Sequence, residues 1–305
     1  MSDLLNDITY LLTDALELGL IWSLLALGIF VSFKVLDYAD MTCESSFALG
    51  GATCATMIIN GFDPFVALIC GSLASFLAGI ITGLLHVKLK IPALLSGIIT
   101  MIGLYSINLR VMMNKANLSL INQDTIFSLI NLNLSIPQYG RIIISLIIVL
   151  VIFFVMYYFF GTEIGMSLRA TGMNMNMAKA SGINTSVMIV LGLGISNGLI
   201  GLGGGLLTQS QGFADINMGK GVIIIGLAAI IVGEVIFGKR SFKNRLISTI
   251  LGTFLYYILL GIAMRLGLDP NDLKLLSAIL IIIILASPLL KKQLLSNKNR
   301  GAQHA

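Results

Sequence analysis

The chain has 305 residues, 57% of them hydrophobic and 11% charged, with a mean hydropathy of +0.97 and a formal net charge of +5. That composition excludes a soluble globular protein, and the segments left between apolar runs are too short to fold as a separate nucleotide-hydrolysing domain. Cys43, Cys54 and Cys70 form neither a disulfide framework nor a Cys-x-x-Cys pair, and His86 and His304 lie too far apart in sequence to build a metal cluster or to serve a Ser-His-Asp triad.

About 20 apolar residues span a bilayer core, and the pattern predicts nine spans in chain order. Residues 1–17 are mixed and acidic, with Leu4, Ile8, Leu11 and Leu12 at helical spacing, which predicts a short interfacial helix. The spans follow at Leu18–Phe33, Phe47–Asn60, Phe65–His86, Ala93–Leu109, Ile142–Phe160, Val187–Leu207, Val222–Phe237, Leu246–Ala263 and Leu275–Leu290. Before the second, residues 37–46 are too polar for lipid yet sit between two apolar runs, as expected of a broken helix lining a cavity. The fold class is therefore an all-α polytopic membrane bundle of about nine spans, a single domain over residues 1–305.

Basic residues set the orientation. With the loops after spans one, three, five and seven and the C-terminal tail on the cytoplasmic side, that side holds thirteen of the 19 Lys and Arg. The N-terminus is then outside and the C-terminus cytoplasmic. The positive balance is explained by this bias, and no nucleic-acid partner is implied. Two loops are long. Arg110–Arg141, outside, is rich in Asn and Ser and could form short helices or strands against a partner. Gly161–Ser186, inside, can form a short helix over about Asn174–Ala180, bracketed by Gly172 and Gly182 and projecting Met173, Met175 and Met177.

Gly233 to Arg240 approaches a phosphate-binding loop, but Arg240 stands where Ser or Thr would hold magnesium and an apolar helix replaces the preceding strand. The run Gly192–Gly205 contains Gly194/Gly198 and Gly201/Gly205, a spacing that lets helix backbones approach closely, here or between two copies of the chain. Polar groups buried in lipid without partners are costly, so Ser45, Ser46 and Thr53 around the broken helix, with Asn108, Ser196 and Asn197, are the candidates to border a translocation path. Helix packing is the competing role for each. Glu234, near a span end and five residues from Lys239, snorkels to the interface, so no mid-membrane carboxylate pair suggests ion coupling.

Arg169, Ala170, Gly172, Asn174, Ala178, Ala180, Gly182, Ile183 and Asn184 resemble the cytoplasmic coupling loop of ATP-binding-cassette (ABC) importer permeases, with Asn176-Met177-Ala178 in place of its Glu-Ala-Ala. Residues 19–50 resemble the first-span and broken-helix region of the branched-chain amino acid and ribose permease superfamily. Together with Leu94–Arg110, they resemble most closely its tryptophan/tyrosine-type uptake branch.

The resemblance implies a permease subunit, not an enzyme, with no cofactor on this chain and with ATP and Mg on partner ATPases. Coupling would pass through Arg169, Ala170, Gly172, Asn174, Met175, Met177, Ala178, Gly182 and Asn184 within loop 161–186. The implied partners are cytoplasmic ABC ATPase subunits, an extracytoplasmic substrate-binding protein, membrane lipid and a second copy in a homodimer, in a bacterial plasma (inner) membrane. The implied cargo is an amino acid of aromatic or hydrophobic type, with a ribose or nucleoside importer, or an ion-coupled secondary transporter, as alternatives.

Overall fold

A computed structural model of the chain describes residues 2–129 and 137–265, with 267, 272, 275, 278, 279 and 282. Its first element, α1 (Ser2–Ile29), runs without a break into a π-helical turn, Phe30–Val35. The separate interfacial helix expected over residues 1–17 is thus the start of one continuous helix. Leu12–Val35 is the most enclosed of the apolar helices, so α1 is the central pillar. It is followed by α2 (Cys43–Ile59), α3 (Pro64–Leu89), α4 (Ala93–Val111), β1 (Asn117–Ser119), α5 (Pro137–Phe159), α6 (Glu163–Met173), α7 (Met175–Ala180), α8 (Thr185–Gln211), β2 (Phe213–Asp215), α9 (Val222–Phe237) and α10 (Phe242–Arg265).

Eight of the nine expected spans coincide with these helices; most of the ninth, Leu275–Leu290, lies outside the described residues. Among the described residues six helices are long and apolar enough to cross a bilayer, whereas α2 and α9 are shorter. The helical bundle carries one departure from all-α. Strands β1 and β2 pair antiparallel, Leu118 opposite Ala214, and pack on α2 beside Ala52, Ala55 and Ile58. The outer loop expected to meet a partner therefore spends its strand within the chain. Gln209 ties down the next stretch, its Oε1 accepting from Ile126 N–H at 2.9 Å while its Nε2 donates to the Pro64 carbonyl at 3.1 Å.

Helix α3 shows how the bundle is turned inside out relative to a soluble protein. Phe65, Ile69, Leu73, Leu77, Ile81 and Leu84 form an exposed stripe at helical spacing, while Gly71, Ser75, Gly79 and Thr82 face inward. With lipid on one side as apolar as any leucine, close approach through small residues drives the packing. A Cβ on Gly71 would meet the Gly50 carbonyl, on Gly201 the Ser75 side chain, and on Gly204 the Phe47 carbonyl. The Gly-x-x-x-Gly stripe of α8 is thus consumed in packing α2, α3 and α8 together, and it offers no surface to a second copy.

The helix ends fall into two sets. The β ribbon and the α2–α3 turn mark one end of the bundle, and the short helices α6 and α7 mark the other. Lys34 at the α1 end pairs with Glu234 of α9 at 3.2 Å. Glu234 therefore finds its partner across the bundle and not in Lys239.

Replacing Gly204 by Val should lower the thermal midpoint of the detergent-solubilised chain, since overpacking of this kind costs about 1–3 kcal/mol. Gly198→Ala, whose Cβ would stand 3.3 Å from the Phe76 side chain, should be better tolerated. Equal midpoints for the two variants would contradict the packing account.

Candidate functional site

Helices α6 and α7 form an elbow at one end of the bundle. Thr162 opens α6, its hydroxyl accepting from Gly165 N–H at 3.3 Å. At the bend, the Asn174 side chain caps α7 by accepting from Met177 N–H at 3.0 Å, and Asn184 caps α8 by accepting from Val187 N–H at 3.2 Å. Gly182 closes α7 in a left-handed conformation, φ +82°, as its expected turn role requires. Gly172 differs from expectation. It lies inside α6 without a positive φ, and a Cβ there would collide with the Val35 carbonyl. Its smallness serves close approach to the end of the π-helical turn.

Arg169 stacks its guanidinium 4.7 Å from the Phe242 ring centroid, fastening α6 to α10. Ala170 is half-buried and Ala178 is buried. Most of the motif therefore builds and anchors the elbow. Its outward face, which also carries Asn176 and Lys179, is notable for methionine: Met173, Met175 and Met177 are 86%, 41% and 68% exposed. Met is unbranched and polarizable, well suited to filling an irregular groove on another surface.

The second feature is the re-entrant segment 36–42. Its backbone leaves the π-helical turn, passes through Asp37 at φ +53°, and rises into the bundle to begin α2. Three side-chain pairs hold it. The Tyr38 hydroxyl meets Ser96 at 2.7 Å, Asp40 accepts from Asn197 Nδ2 at 2.7 Å, and the Thr42 hydroxyl meets Thr82 at 2.7 Å. Asp40 also accepts from Thr42 N–H at 2.9 Å and is fully buried. The broken second helix expected from sequence is present, and its buried carboxylate is one the apolar pattern did not reveal.

Where this segment ends, a cleft of about 410 Å³ opens between α2, α4 and the β2–α9 connection. Its lining includes Glu44, Ser45, Met101, Tyr105, Ile216 and Lys220. Glu44 is fifteen residues from Ile59 at the ribbon end of α2, about 22 Å along the helix axis, so on the α2 side the cleft reaches well below the ribbon, while Ile102, Tyr105, Ser106 and Lys220 are exposed at its mouth. The Ser45 hydroxyl donates to the Met101 carbonyl at 2.8 Å, and Asn108 Nδ2 donates to the Ser45 carbonyl at 3.1 Å. Ser46 Oγ and Asn108 Oδ1 are buried with no hydrogen-bond partner among the described residues.

The six expected path residues thus separate. Ser45 lines the cleft, and Ser46 and Asn108 sit behind it. Thr53 is half-buried two turns further along α2. Ser196 and Asn197 are fully enclosed elsewhere, Ser196 donating to the Gly28 carbonyl at 2.7 Å and Asn197 to Asp40. Glu44, Tyr105 and Lys220 went unmarked in sequence. Lys220 stands directly before an apolar run, between Gly219 and Gly221, which reads as an outer loop until the connection is seen to dip along α2 to Glu44.

The family described as branched-chain amino acid transport system / permease component matches residues 11–286. The chain is 40% identical over 269 residues to a tyrosine transport system permease protein of Clostridioides difficile (strain R20291), covering 88% of each chain. It is 36% identical to an uncharacterized protein of Rickettsia prowazekii (strain Madrid E), over 91% of this chain and 97% of that one. A galactofuranose transporter permease protein of Escherichia coli (strain K12) is 24% identical, over 81% of this chain and 70% of its own. No solved structure matches.

A charged thiol reagent should modify Ser106→Cys at the cleft at least tenfold faster than Ser196→Cys, in a background whose native cysteines are replaced by Ala. Equal protection of both sites would show that water does not reach the cleft.

Proposed function

The chain belongs to the permease family of branched-chain amino acid transport systems, and we propose that it is the membrane subunit of an ATP-driven importer of an aromatic or hydrophobic amino acid. The observation that carries the reading is the elbow: exposed methionines on α6 and α7, with α6 fastened to the bundle through Arg169 and Gly172 and the two following helices capped by Asn174 and Asn184. Such an element transmits a push from a neighbouring ATPase because it cannot yield locally. Gly172 bears on Val35, the re-entrant segment follows directly, and Ser45 at its far end lines the cleft. ATP-driven closure of two ATPase subunits would tilt the elbow and change access to the cleft.

The elbow end is cytoplasmic in this reading, as the clustering there of Lys34, Lys88, Lys90, Arg169, Lys179 and the basic residues 239–245 supports. An extracytoplasmic binding protein would deliver cargo at the ribbon end, in a bacterial inner membrane. A pair of permease copies completes the assembly, meeting on a surface other than the glycine stripe. The tyrosine-transport relative supports the amino acid; the galactofuranose relative supports a sugar at lower identity. Asp40 supplies the ion-coupled alternative with a buried carboxylate, but it is engaged with Asn197 and Thr42 and holds structure.

Proteoliposomes holding the permease, its ATPase and its binding protein should accumulate labelled L-tyrosine with ATP. Gly182→Val strains a left-handed turn by about 1–2 kcal/mol and should reduce binding-protein-stimulated ATP hydrolysis several-fold while the chain still inserts. Met177→Glu should reduce ATPase copurification. Full coupling in both variants would remove the elbow from the mechanism, and uptake driven by an ion gradient without ATP would overturn the importer reading.

A further inference from the structure

Two opposite charges share the cleft without meeting each other. Glu44 uses Oε1 to accept from Gly221 N–H at 2.9 Å, which fixes the carboxylate's position against the β2–α9 connection. Neither Glu44 nor Lys220 forms an ion pair among the described residues, unlike Lys34 with Glu234 and Arg141 with Glu17. Their separation is held by backbone packing, because Gly219 is pressed on the Glu44 carbonyl so closely that no Cβ would fit. Lys220 therefore cannot be carried far from Glu44 by movement of its loop, yet the two side chains do not pair.

Glu44 is half-buried and Lys220 exposed, and a charge of each sign turned toward hydrocarbon is costly unless the cleft is hydrated or takes a complementary solute. Besides Ser45 and Ser106 the remaining side chains of the lining are apolar or aromatic, with Met101, Ile102, Tyr105 and Ile216, and the volume of about 410 Å³ falls within the range of small-molecule sites, about 300–1,000 Å³. A sugar carries no charge for either group, and a simple anion or cation would leave one group unanswered. A free α-amino acid answers both and has a side chain for the apolar wall.

We infer that Glu44 and Lys220 form a two-point station for the head group of a zwitterionic α-amino acid, Glu44 receiving the ammonium and Lys220 the carboxylate, with Tyr105 and Ile216 against the side chain. This rests on the amino-acid importer reading above. The station is transient by construction: each charge-assisted contact is made in a wide, hydrated cleft, strong enough to orient the solute and weak enough to release it.

The test uses the complete transporter in proteoliposomes and reads L-tyrosine taken up per ATP hydrolysed. Lys220→Met and Glu44→Gln should each lower that ratio at least tenfold, while Lys220→Arg retains most of it. In a Lys220→Cys protein without other cysteines, attachment of an aminoethyl group through a disulfide restores an ammonium and should restore uptake, whereas a sulfonatoethyl group of similar length should not. Because the modification is made on assembled protein, this arm is independent of how the variants fold. Uptake by Lys220→Met and Glu44→Gln at the wild-type ratio, or equal rescue by both attached groups, would overturn the station while leaving tyrosine import intact. Wild-type protein that accumulates a sugar and no tyrosine would instead overturn the importer reading on which the station rests.

Discussion

Everything else in the fold is arranged around a stretch of backbone that is not helical where lipid surrounds the bundle. Residues 36–42 leave the central pillar and re-enter the interior, and their peptide groups cannot be given to hydrocarbon, where each unsatisfied group costs several kcal/mol. The solution is local and dense. The π-helical turn takes up the first groups, Leu36 N–H donating to the Val31 carbonyl at 3.0 Å and Tyr38 N–H to Ser32 at 2.9 Å. Tyr38, Asp40 and Thr42 then each reach a different helix, α4, α8 and α3. One short segment thereby fixes the relative positions of three helices.

That constraint explains the distribution of glycine. With α2 starting deep inside, it must lie against α3 and α8 at backbone distance to fill the space, and Gly50, Gly71, Gly201 and Gly204 are where the contacts occur. It also explains why Ser196 and Asn197 are enclosed. Asn197 lies in the middle of α8, where a polar side chain would be expected beside a path, but its amide is committed to Asp40 and to the Leu193 carbonyl at 2.9 Å. Ser196 binds α1 one residue away. Both are part of the frame that holds the re-entrant segment.

The sequence conveyed the architecture through physics that acts locally. Apolar run length located eight helices, and the polar interruption at residues 37–46 marked the broken helix because no lipid-facing segment tolerates that composition. The short helix over about Asn174–Ala180 was legible from the two glycines that bracket it, although only Gly182 takes the turn conformation expected of both. What was not legible depends on distance in the chain. Asp40 and Asn197 are 157 residues apart, and nothing in either neighbourhood names the other. Lys220 reads as an outer-loop residue because only pairing of β2 with β1 shows the chain descending past α2. The glycine spacing in α8 was legible as close packing, but not as packing within one chain.

The residue pattern of the elbow acquires a different meaning once its side chains are placed. A docking motif invites the reading that its residues touch the partner, yet Arg169, Gly172, Asn174, Ala178 and Asn184 are engaged with this chain's own helices. They brace the elbow, which suits the coupling role proposed for it, since a yielding element would dissipate a push before it reached the bundle. Of Asn176-Met177-Ala178, which stands where the resembled loop has Glu-Ala-Ala, Ala178 takes a buried position, while Asn176 and Met177 occupy exposed ones. Between the elbow and the cleft lies only the re-entrant segment, held on three sides. A displacement at Gly172 has Val35 directly in front of it and residues 36–42 immediately beyond. The non-helical backbone that constrains the fold thus also lies between the elbow proposed above to meet an ATPase and the charged cleft.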